Sequence, residues 1–120
     1  RELKCWGRGD DGQLGYGNKA NRGQYVSEMG DALPVVTKEA VDVAAGAYHT
    51  CFVAFDRSVW CFGKNNNLQL GTALGPRALS KSKVPAVTGD AIAAGHDTTC
   101  AIRDGRVWCW GLGAYGMLGP

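Results

Sequence analysis

Hydrophobic and polar residues alternate with a period of two in several short stretches of this chain, and turn-forming residues separate these stretches. "CAIRDGRVWCWG", residues 100–111, shows the pattern most clearly, with Asp104-Gly105 between two apolar-rich arms. Asp-Gly favours a type I′ turn, because both central positions of that turn need a positive φ. The stretch therefore predicts a β-hairpin, and no stretch of the chain shows the 3.6-residue period of a long helix.

The turn also sets the register of this hairpin and places Cys100 opposite Cys109. The pair falls at a non-hydrogen-bonded position, where Cα atoms lie about 4.5 Å apart, within the roughly 4.4–6.8 Å that a disulfide accepts. "CFVAFDRSVWCFG", residues 51–63, repeats the arrangement, and a three-residue loop with a bulge keeps Cys51 opposite Cys61. We interpret the pairs as two disulfides, with buried free thiols or a zinc site as the alternatives.

These hairpins belong to a repeat. "CWGRGDDGQLG" from Cys5, "CFGKNNNLQLG" from Cys61 and "CWGLGAYGMLG" from Cys109 align, and "AAGAYHTC" aligns with "AAGHDTTC". Cys5 is the second cysteine of a hairpin whose first half is missing, so it is unpaired in this segment. A unit of 48 to 56 residues with about four short strands has the size of a propeller blade.

The predicted fold is all-β, with β-propeller blades of four-stranded antiparallel sheets, about two blades plus a partial overlap. Both faces of each hairpin are apolar, which favours blades covered on both sides over a sandwich with one wet face. Two blades cannot close a ring, so we expect a segment of a longer propeller. The expected divisions are 1–15 as the end of a preceding blade, 16–63 as a first full repeat with an inserted loop at 17–33, 64–111 as a second full repeat, and 112–120 as the start of the next.

Taken together, these motifs resemble the repeat of the regulator of chromosome condensation family, and its cysteine-bearing secreted type in particular. The family signature is a Gly-His-Thr-like strand, a Trp-Gly strand end and a Gly-Gln-Leu-Gly loop. The resemblance covers nearly the whole chain except the insert and implies a seven-bladed β-propeller. Structural roles are expected for the repeat residues: His49, whose imidazole is expected to bind the backbone of a neighbouring loop, and Trp6, Gly7, Trp60, Gly63, Trp108, Trp110 and Gly111.

Composition and charge exclude several classes of function. The chain has 120 residues and a net charge of +2, and no run of Lys or Arg forms a nucleic-acid patch. No apolar stretch approaches the roughly 20 residues that cross a bilayer, so no membrane insertion is expected. His49 and His96 occupy different positions in their repeats, and no base is visible beside a nucleophile. We therefore expect no enzyme, no cofactor and no metal.

The paired cysteines favour an oxidising compartment, so a secreted or cell-surface protein is expected. The predicted function is a non-enzymatic scaffold that binds a protein partner or self-assembles into a larger propeller or filament. The insert would enlarge the binding rim, and Tyr16, Tyr25 and Met29 are its candidate partner contacts. Tyr25 and Met29 are equally suited to fasten the insert to its own blade.

Two other functions stay open. The family includes nuclear members that promote nucleotide exchange on a small GTPase, so an intracellular exchange-factor-like regulator is one alternative. A carbohydrate-binding propeller is the other. Light sensing, which a plant branch of the family carries out with a Gly-Trp-Arg-His-Thr motif, is disfavoured because Ala47 stands at the Trp position here.

Overall fold

The computed structural model describes residues 1–25, 28–72 and 75–112, together with the backbone of 116–118. Within these ranges the regular structure is mainly β-strand, with a short 3-10 helix at Gly30–Ala32. Part of the segment expected to begin the next repeat, and two residues of the insert, lie outside the described residues. No described helix is long and apolar enough to cross a membrane.

Two four-stranded antiparallel sheets form the body of the molecule, and in each the strands lie side by side in chain order. The first blade contains β1 (Ala40–Ala45), β2 (His49–Ala54), β3 (Ser58–Lys64) and β4 (Arg77–Thr88). The second contains β5 (Ala91–Ala94), β6 (Thr98–Arg103), β7 (Arg106–Gly111) and β8 (Gly116–Leu118). The all-β fold with antiparallel four-stranded blades is therefore present as predicted.

The Asp-Gly turn has the backbone conformation that the sequence predicts. Asp104 and Gly105 both have positive φ, at +52° and +79°. Strands β6 and β7 then pair with Cys100 opposite Cys109, whose Cα atoms are 4.1 Å apart. The two sulfurs lie 2.00 Å apart.

A longer loop closes the hairpin of the first blade. The Arg57 amide donates to the Ala54 carbonyl at 2.8 Å, and Arg57 itself is left-handed, with a φ of +74°. A type I turn followed by a left-handed residue is a common three-residue hairpin loop. This loop keeps Cys51 opposite Cys61, with Cα atoms 4.1 Å apart and sulfurs 2.15 Å apart.

The first blade is covered on both faces, and every residue of β2 is buried. One face forms a core with the second blade, made of Cys51, Val53, Val59, Cys61, Leu70, Val84, Ile92, Ala101 and Trp110. On the other face, Phe52 and Phe62 pack with Leu3, Cys5 and Val36 of the N-terminal segment. This two-sided burial is what a blade inside a propeller requires.

The second blade carries an equivalent face that points away from the first. Its residues Cys100, Ile102, Val107 and Cys109 stand at the register positions of Cys51, Val53, Val59 and Cys61. The first-blade residues are fully buried, whereas Ile102 is 39% exposed. The difference arises because the described residues place no further blade against Ile102.

The Gln-Leu-Gly loops at residues 13–15 and 69–71 cross to the next blade. The Thr99 hydroxyl donates to the Gln69 carbonyl at 2.7 Å, and the Thr50 hydroxyl donates to the Gln13 carbonyl at 2.9 Å. Leu70, which follows Gln69, is fully buried in the core between the blades. The threonine of one repeat and the glutamine of the repeat before it are thus hydrogen-bond partners.

The N-terminal segment resembles the outer half of another blade. Leu3 bridges Thr37 and Gly7 bridges Arg22, both in antiparallel fashion. Arg22 of the insert and Thr37 beyond it therefore each lie beside the N-terminal segment, at isolated bridges.

Sequence repeats and blades are offset from each other. Residues 64–111 supply β4 to the first sheet and β5 to β7 to the second, so each sheet draws on consecutive repeats. The alignment places residues 116–118 in a loop like that at 68–70, but the structure forms β8 there and pairs it with β7. The pairing satisfies backbone groups along an otherwise open strand edge.

Candidate interaction site

One edge of the two sheets gathers the turns after β1 and β5 and the segments after β3 and β7. The Lys64 amide donates to the Tyr48 carbonyl at 2.8 Å, and the Ala47 amide donates across the blades to the His96 carbonyl at 3.0 Å. We call this edge the upper rim and define it by the side chains of Arg8, Tyr48, Lys64 and His96. The bond from Ala47 to His96 ties the turns of the two blades together at this rim.

Tyr48 lies at the centre of the upper rim. The Arg8 Cζ atom is 5.5 Å from the centre of the Tyr48 ring, and the Lys64 Nζ atom is 5.0 Å from it. The His96 ring meets Tyr48 edge-on, with the ring centres 6.2 Å apart. Each cation is within the distance at which an aromatic ring attracts positive charge.

Charge pairs flank this centre. The Arg8 guanidinium donates two hydrogen bonds to Asp10, at 2.8 and 2.9 Å, and these bonds hold the pKa of the Asp10 carboxyl below its ordinary value. His96 Nδ1 is 3.0 Å from an Asp97 oxygen. Arg8 and Asp10 of the Arg-Gly-Asp tripeptide are therefore paired with each other at the rim.

Lys64 is the cation of the upper rim with no carboxylate within 4 Å among the described residues. It is half-buried, with its ammonium group held over the Tyr48 ring. Arg8 and Lys64 each follow a strand-ending glycine, Gly7 and Gly63. Sequence reasoning did not select Tyr48, Arg8 or Lys64. The sequence signal for the two cations is that each occupies the same position of its repeat, directly after the glycine.

His49 is buried beneath the upper rim. Its Nε2 atom lies 2.9 Å from the Thr99 hydroxyl. The Thr99 hydroxyl donates its hydrogen bond to the Gln69 carbonyl, so in the contact with His49 it is the acceptor and Nε2 is the donor. The His49 Nδ1 atom is buried and has no hydrogen-bond partner among the described residues. Burial lowers the pKa of His49, so the ring is neutral. The sequence predicts that the His49 imidazole binds the backbone of a neighbouring loop. In the structure the imidazole binds the Thr99 side chain instead, and the Thr99 hydroxyl binds the backbone of Gln69.

His49 and Thr99 therefore belong to the joint between blades. The Trp110 indole N–H donates to the same Gln69 carbonyl at 2.9 Å. In the part of the chain that the structure describes, no three His, Cys, Asp or Glu side chains are placed to hold a metal ion.

The three predicted contact residues of the insert differ in environment. The Tyr16 hydroxyl accepts from the Cys5 amide at 2.8 Å and donates to the Cys5 carbonyl at 2.7 Å, so it fastens the insert. Met29 is half-buried, and its sulfur and the Trp6 ring both approach Gly23. Tyr25 is 63% exposed. Of the three, Tyr25 is the most accessible to a partner.

The four tryptophans also differ. Trp110 lies in the core between the blades. Trp60 packs on the opposite face of the first blade. Trp6 and Trp108 are 60% and 38% exposed. Gly63 and Gly111 have φ values of +111° and +106°, which suit the strand ends where the chain turns.

A cleft of about 420 Å³ lies between the N-terminal segment and the first blade. Leu3, Cys5 and Val43 are among its lining residues. Val43 is partly exposed, although its register equivalent in the second blade, Ile92, is buried between blades. Burial raises the pKa of the Cys5 thiol to about 11, so Cys5 is a poor nucleophile at neutral pH.

Two family models match the chain, and both describe a regulator of chromosome condensation (RCC1) repeat. One covers residues 40–69 and the other residues 5–53. Together they cover more than half of the chain. The segments they match include the Gly-Gln-Leu-Gly loop, the buried His49 and the first hairpin.

Among proteins of known sequence, the chain is 34% identical to the ultraviolet-B receptor UVR8 of Arabidopsis thaliana, over 98% of this chain and 27% of the receptor. It is 33% identical to the human E3 ubiquitin-protein ligase HERC2, over 98% of this chain and 2% of the ligase. The chain therefore spans about a quarter of UVR8 and a far smaller part of HERC2.

Solved structures share the fold. A chain in the crystal structure of Kap60 bound to yeast RCC1 (Prp20) has a TM-score of 0.72 and 19% identity, covering 93% of this chain and 28% of that one. Prp20p from Saccharomyces cerevisiae, studied with its binding to Gsp1p and histones, has a TM-score of 0.63 and 25% identity, covering 96% and 30%. Human WBSCR16 has a TM-score of 0.66 and 23% identity, covering 88% and 28%.

Proposed function

The chain belongs to the family of proteins built from regulator of chromosome condensation repeats, and on that premise we propose that it is part of a β-propeller whose upper rim binds another protein. The observation that carries the proposal is the position of Tyr48 beneath two cations, Arg8 and Lys64. Tyrosine and arginine are enriched in protein interfaces, because they offer broad contact area together with directed polar groups. The rim holds them on backbone that is hydrogen-bonded across the blades.

A non-enzymatic scaffold agrees with the chemistry of the rim. Of the two histidines, His49 is buried in the joint between blades, and His96 lies on the rim, where it pairs with Asp97. The proposed scaffold presents side chains to a partner and carries out no covalent step.

The proposed compartment is extracellular or the cell surface. Cys51 and Cys61, and likewise Cys100 and Cys109, are placed at bonding distance in two independent hairpins. Disulfides of this kind persist in secreted proteins and are reduced in the cytosol. Counting free thiols tests the proposal: the secreted protein, unfolded without a reducing agent, should react at one of the five cysteines of this chain.

Further blades, up to the seven of complete members, are proposed to cover the two open faces. Those faces are the cleft beside Val43 and the outward surface at Ile102. Each is the register equivalent of a surface that is buried between the two blades. Blades of the same polypeptide, or of a second copy in a larger propeller or filament, would complete them.

The upper rim is tested with the full-length protein and quantitative affinity purification from its native compartment. A Tyr48→Ser, Lys64→Glu double variant should lose most of the partners that the wild type recovers. Phe55→Ser, which alters an exposed aromatic residue in the turn between β2 and β3 at the opposite edge, is the control and should retain them. An unchanged set of partners in the double variant would refute the role of the rim.

A second candidate is an intracellular exchange-factor-like regulator of a small GTPase. The likeness to Prp20p, a protein studied with its binding to Gsp1p, favours this candidate. It predicts five free thiols in the native protein and faster release of a labelled guanine nucleotide from a small GTPase. One free thiol and no acceleration would eliminate it.

A further inference from the structure

A second concave surface lies on the opposite edge of the sheets from the upper rim. It is a groove of about 450 Å³ between the end of β4 and the second hairpin. The residues that line it are Ala86, Val87, Thr88, Arg103, Asp104, Arg106 and Trp108. We call it the lower groove. Its volume is in the range of sites that hold drug-sized ligands or short peptide segments.

The first blade shows what a closed version of this site looks like. The indole N–H of Trp60 donates to the Ser58 hydroxyl at 2.9 Å. The ring stacks on Phe52 with 6.4 Å between ring centres and 9° between planes, and Lys81 lies over it at 5.2 Å. Trp60 is thus fully engaged within its own blade.

Trp108 stands at the equivalent register position without these partners. Trp60 pairs with Phe52 across its hairpin, whereas Trp108 pairs with Ala101, which has no ring to stack on. Arg106 replaces Ser58 two residues earlier in the strand, and a guanidinium accepts no hydrogen bond. Trp108 is left 38% exposed, and among the described residues its indole N–H has no acceptor.

An irregularity in β4 opens the groove. Ser58 pairs with Thr88 and Trp60 with Lys83, so β4 passes five residues where β3 passes two. Ala86 takes a left-handed φ of +61°, which is uncommon for a residue other than glycine. The extra residues bulge away from the ladder and form the apolar wall that faces Trp108.

The charges beside the groove leave one cation available. Arg103 donates to the Thr88 hydroxyl and lies 3.6 Å from Asp104. Asp90 is engaged by Arg57 at 3.3 Å. Arg106 is exposed and has no carboxylate within 4 Å among the described residues. An arginine with a free guanidinium fork binds carboxylates with two parallel hydrogen bonds.

From this arrangement we propose that the lower groove binds an acidic peptide segment of a partner protein. A Glu or Asp carboxylate pairs with Arg106, and a neighbouring apolar side chain packs on Trp108 and Val87. A peptide carbonyl accepts the Trp108 indole N–H. The ligand thus supplies the acceptor and the stacking surface that Ser58 and Phe52 supply to Trp60. The site is independent of the upper rim, so its test does not depend on the proposed function.

The test uses the intact disulfide-bonded protein, labelled with ¹⁵N, and three probes. The first probe is acetyl-Gly-Leu-Glu-Leu-Gly-amide, the second is the same peptide with Gln in place of Glu, and the third is inorganic phosphate. The Glu peptide should shift the Trp108 indole N–H signal saturably. The Gln peptide should bind at least about tenfold more weakly, the loss of one charge-assisted pair.

Arg106→Ser is the decisive variant, because it places in the second blade the residue that closes the first. This variant should bind the Glu peptide at least about tenfold more weakly than the wild type. Arg106→Lys keeps the charge but loses the planar guanidinium, so its affinity for the Glu peptide should lie between those of the wild type and Arg106→Ser. This variant carries the test if Arg106→Ser does not fold. Lys81→Gln, beside Trp60, is the matched control and should leave affinity unchanged.

Three results would overturn the proposal. They are equal binding of the Glu and Gln peptides, full affinity in the folded Arg106 variants, and a Trp108 shift with phosphate that the Glu peptide does not reproduce. The last would mark a small-anion site.

Discussion

The His49 Nε2 atom lies 2.9 Å from the Thr99 hydroxyl, and this contact joins two blades across 50 residues of chain. The Thr99 hydroxyl in turn donates a hydrogen bond to the Gln69 carbonyl at 2.7 Å. Both side chains are almost completely buried. A continuous line of donors and acceptors therefore holds the joint between the blades.

Replacing Thr99 with Val should destabilise the protein by about 2–3 kcal/mol. Val fills the same space but leaves the His49 N–H buried without a partner, and the Gln69 carbonyl keeps only the Trp110 indole N–H. The free energy of unfolding in urea measures the effect. Thr98→Val, at the exposed neighbour whose hydroxyl donates to Leu112, is the control and should cost less than about 1 kcal/mol. Equal losses in both variants would contradict a special role for Thr99.

Stability should fall as the pH drops below about 6.5. Burial lowers the pKa of His49 in the folded protein from its ordinary value of 6.5. The unfolded chain therefore takes up a proton at a higher pH than the folded one, and acid favours unfolding. Stability from this group is fully present above pH 6.5 and is lost as the pH falls through the folded pKa.

The measurement is the free energy of unfolding between pH 4.5 and pH 8. His49→Gln should flatten the curve in this range. Asp10 and Asp56 have pKa values below 3.8, so their titrations lie at lower pH. A curve that stays level for the wild type would show that the His49 ring is not held neutral.

The two disulfides should differ in what their removal costs. The bonded cysteines are 10 and 9 residues apart in the sequence. The entropy of loop closure therefore predicts that each disulfide stabilises the folded protein by about 2–3 kcal/mol. Cys51 and Cys61 are fully buried in the core between blades. Serine at those two positions should cost a further 1–3 kcal/mol or so, because it buries unpaired hydroxyl groups.

Differential scanning of the two double variants, Cys51→Ser with Cys61→Ser and Cys100→Ser with Cys109→Ser, measures this difference. Cys5→Ser serves as the control for the loss of a thiol without the loss of a bond. A larger effect for the second pair would contradict the assignment of Cys51 and Cys61 to the core.

Gly63 and Gly75 form a matched pair for testing close packing at the strand end. Their φ values are +111° and +113°, so alanine is strained equally at both. A Cβ at Gly63 would lie 2.5 Å from the Tyr48 carbonyl oxygen, whereas at Gly75 it would meet no atom of the described residues within 4 Å. Gly63→Ala should therefore cost about 1–3 kcal/mol more than Gly75→Ala in urea unfolding. If both variants lose the same free energy of unfolding, backbone strain alone accounts for the effect of replacing Gly63.

The hairpins were predictable residue by residue, because a turn fixes the register of the two strands it joins. Asp104-Gly105 places Cys100 opposite Cys109 through local geometry alone. The role of Gln69 was not predictable in this way. Its carbonyl meets Thr99 only after the loop has crossed to the next blade, and the alignment carries both residues without indicating their contact.

The candidate sites show the same division. Sequence reasoning selected Tyr16, Tyr25 and Met29 because they lie in or beside the insert, and the structure shows that the Tyr16 hydroxyl binds the backbone of Cys5. Tyr48 was not selected, since its partners Arg8 and Lys64 lie 40 residues before it and 16 after it. Which side chains share a surface depends on how repeats stack, and no pattern within one repeat contains that information.

By itself, the sequence determined the elements of this protein. Alternation with a period of two, Asp-Gly and glycine at the strand ends fix strands, turns and cysteine pairing through interactions between neighbouring residues. Only the tertiary structure decided which of two equivalent tryptophans is enclosed and which lines a groove, and which cations meet Tyr48. Those outcomes depend on contacts between blades, where residues far apart in the chain exclude water from the same surface.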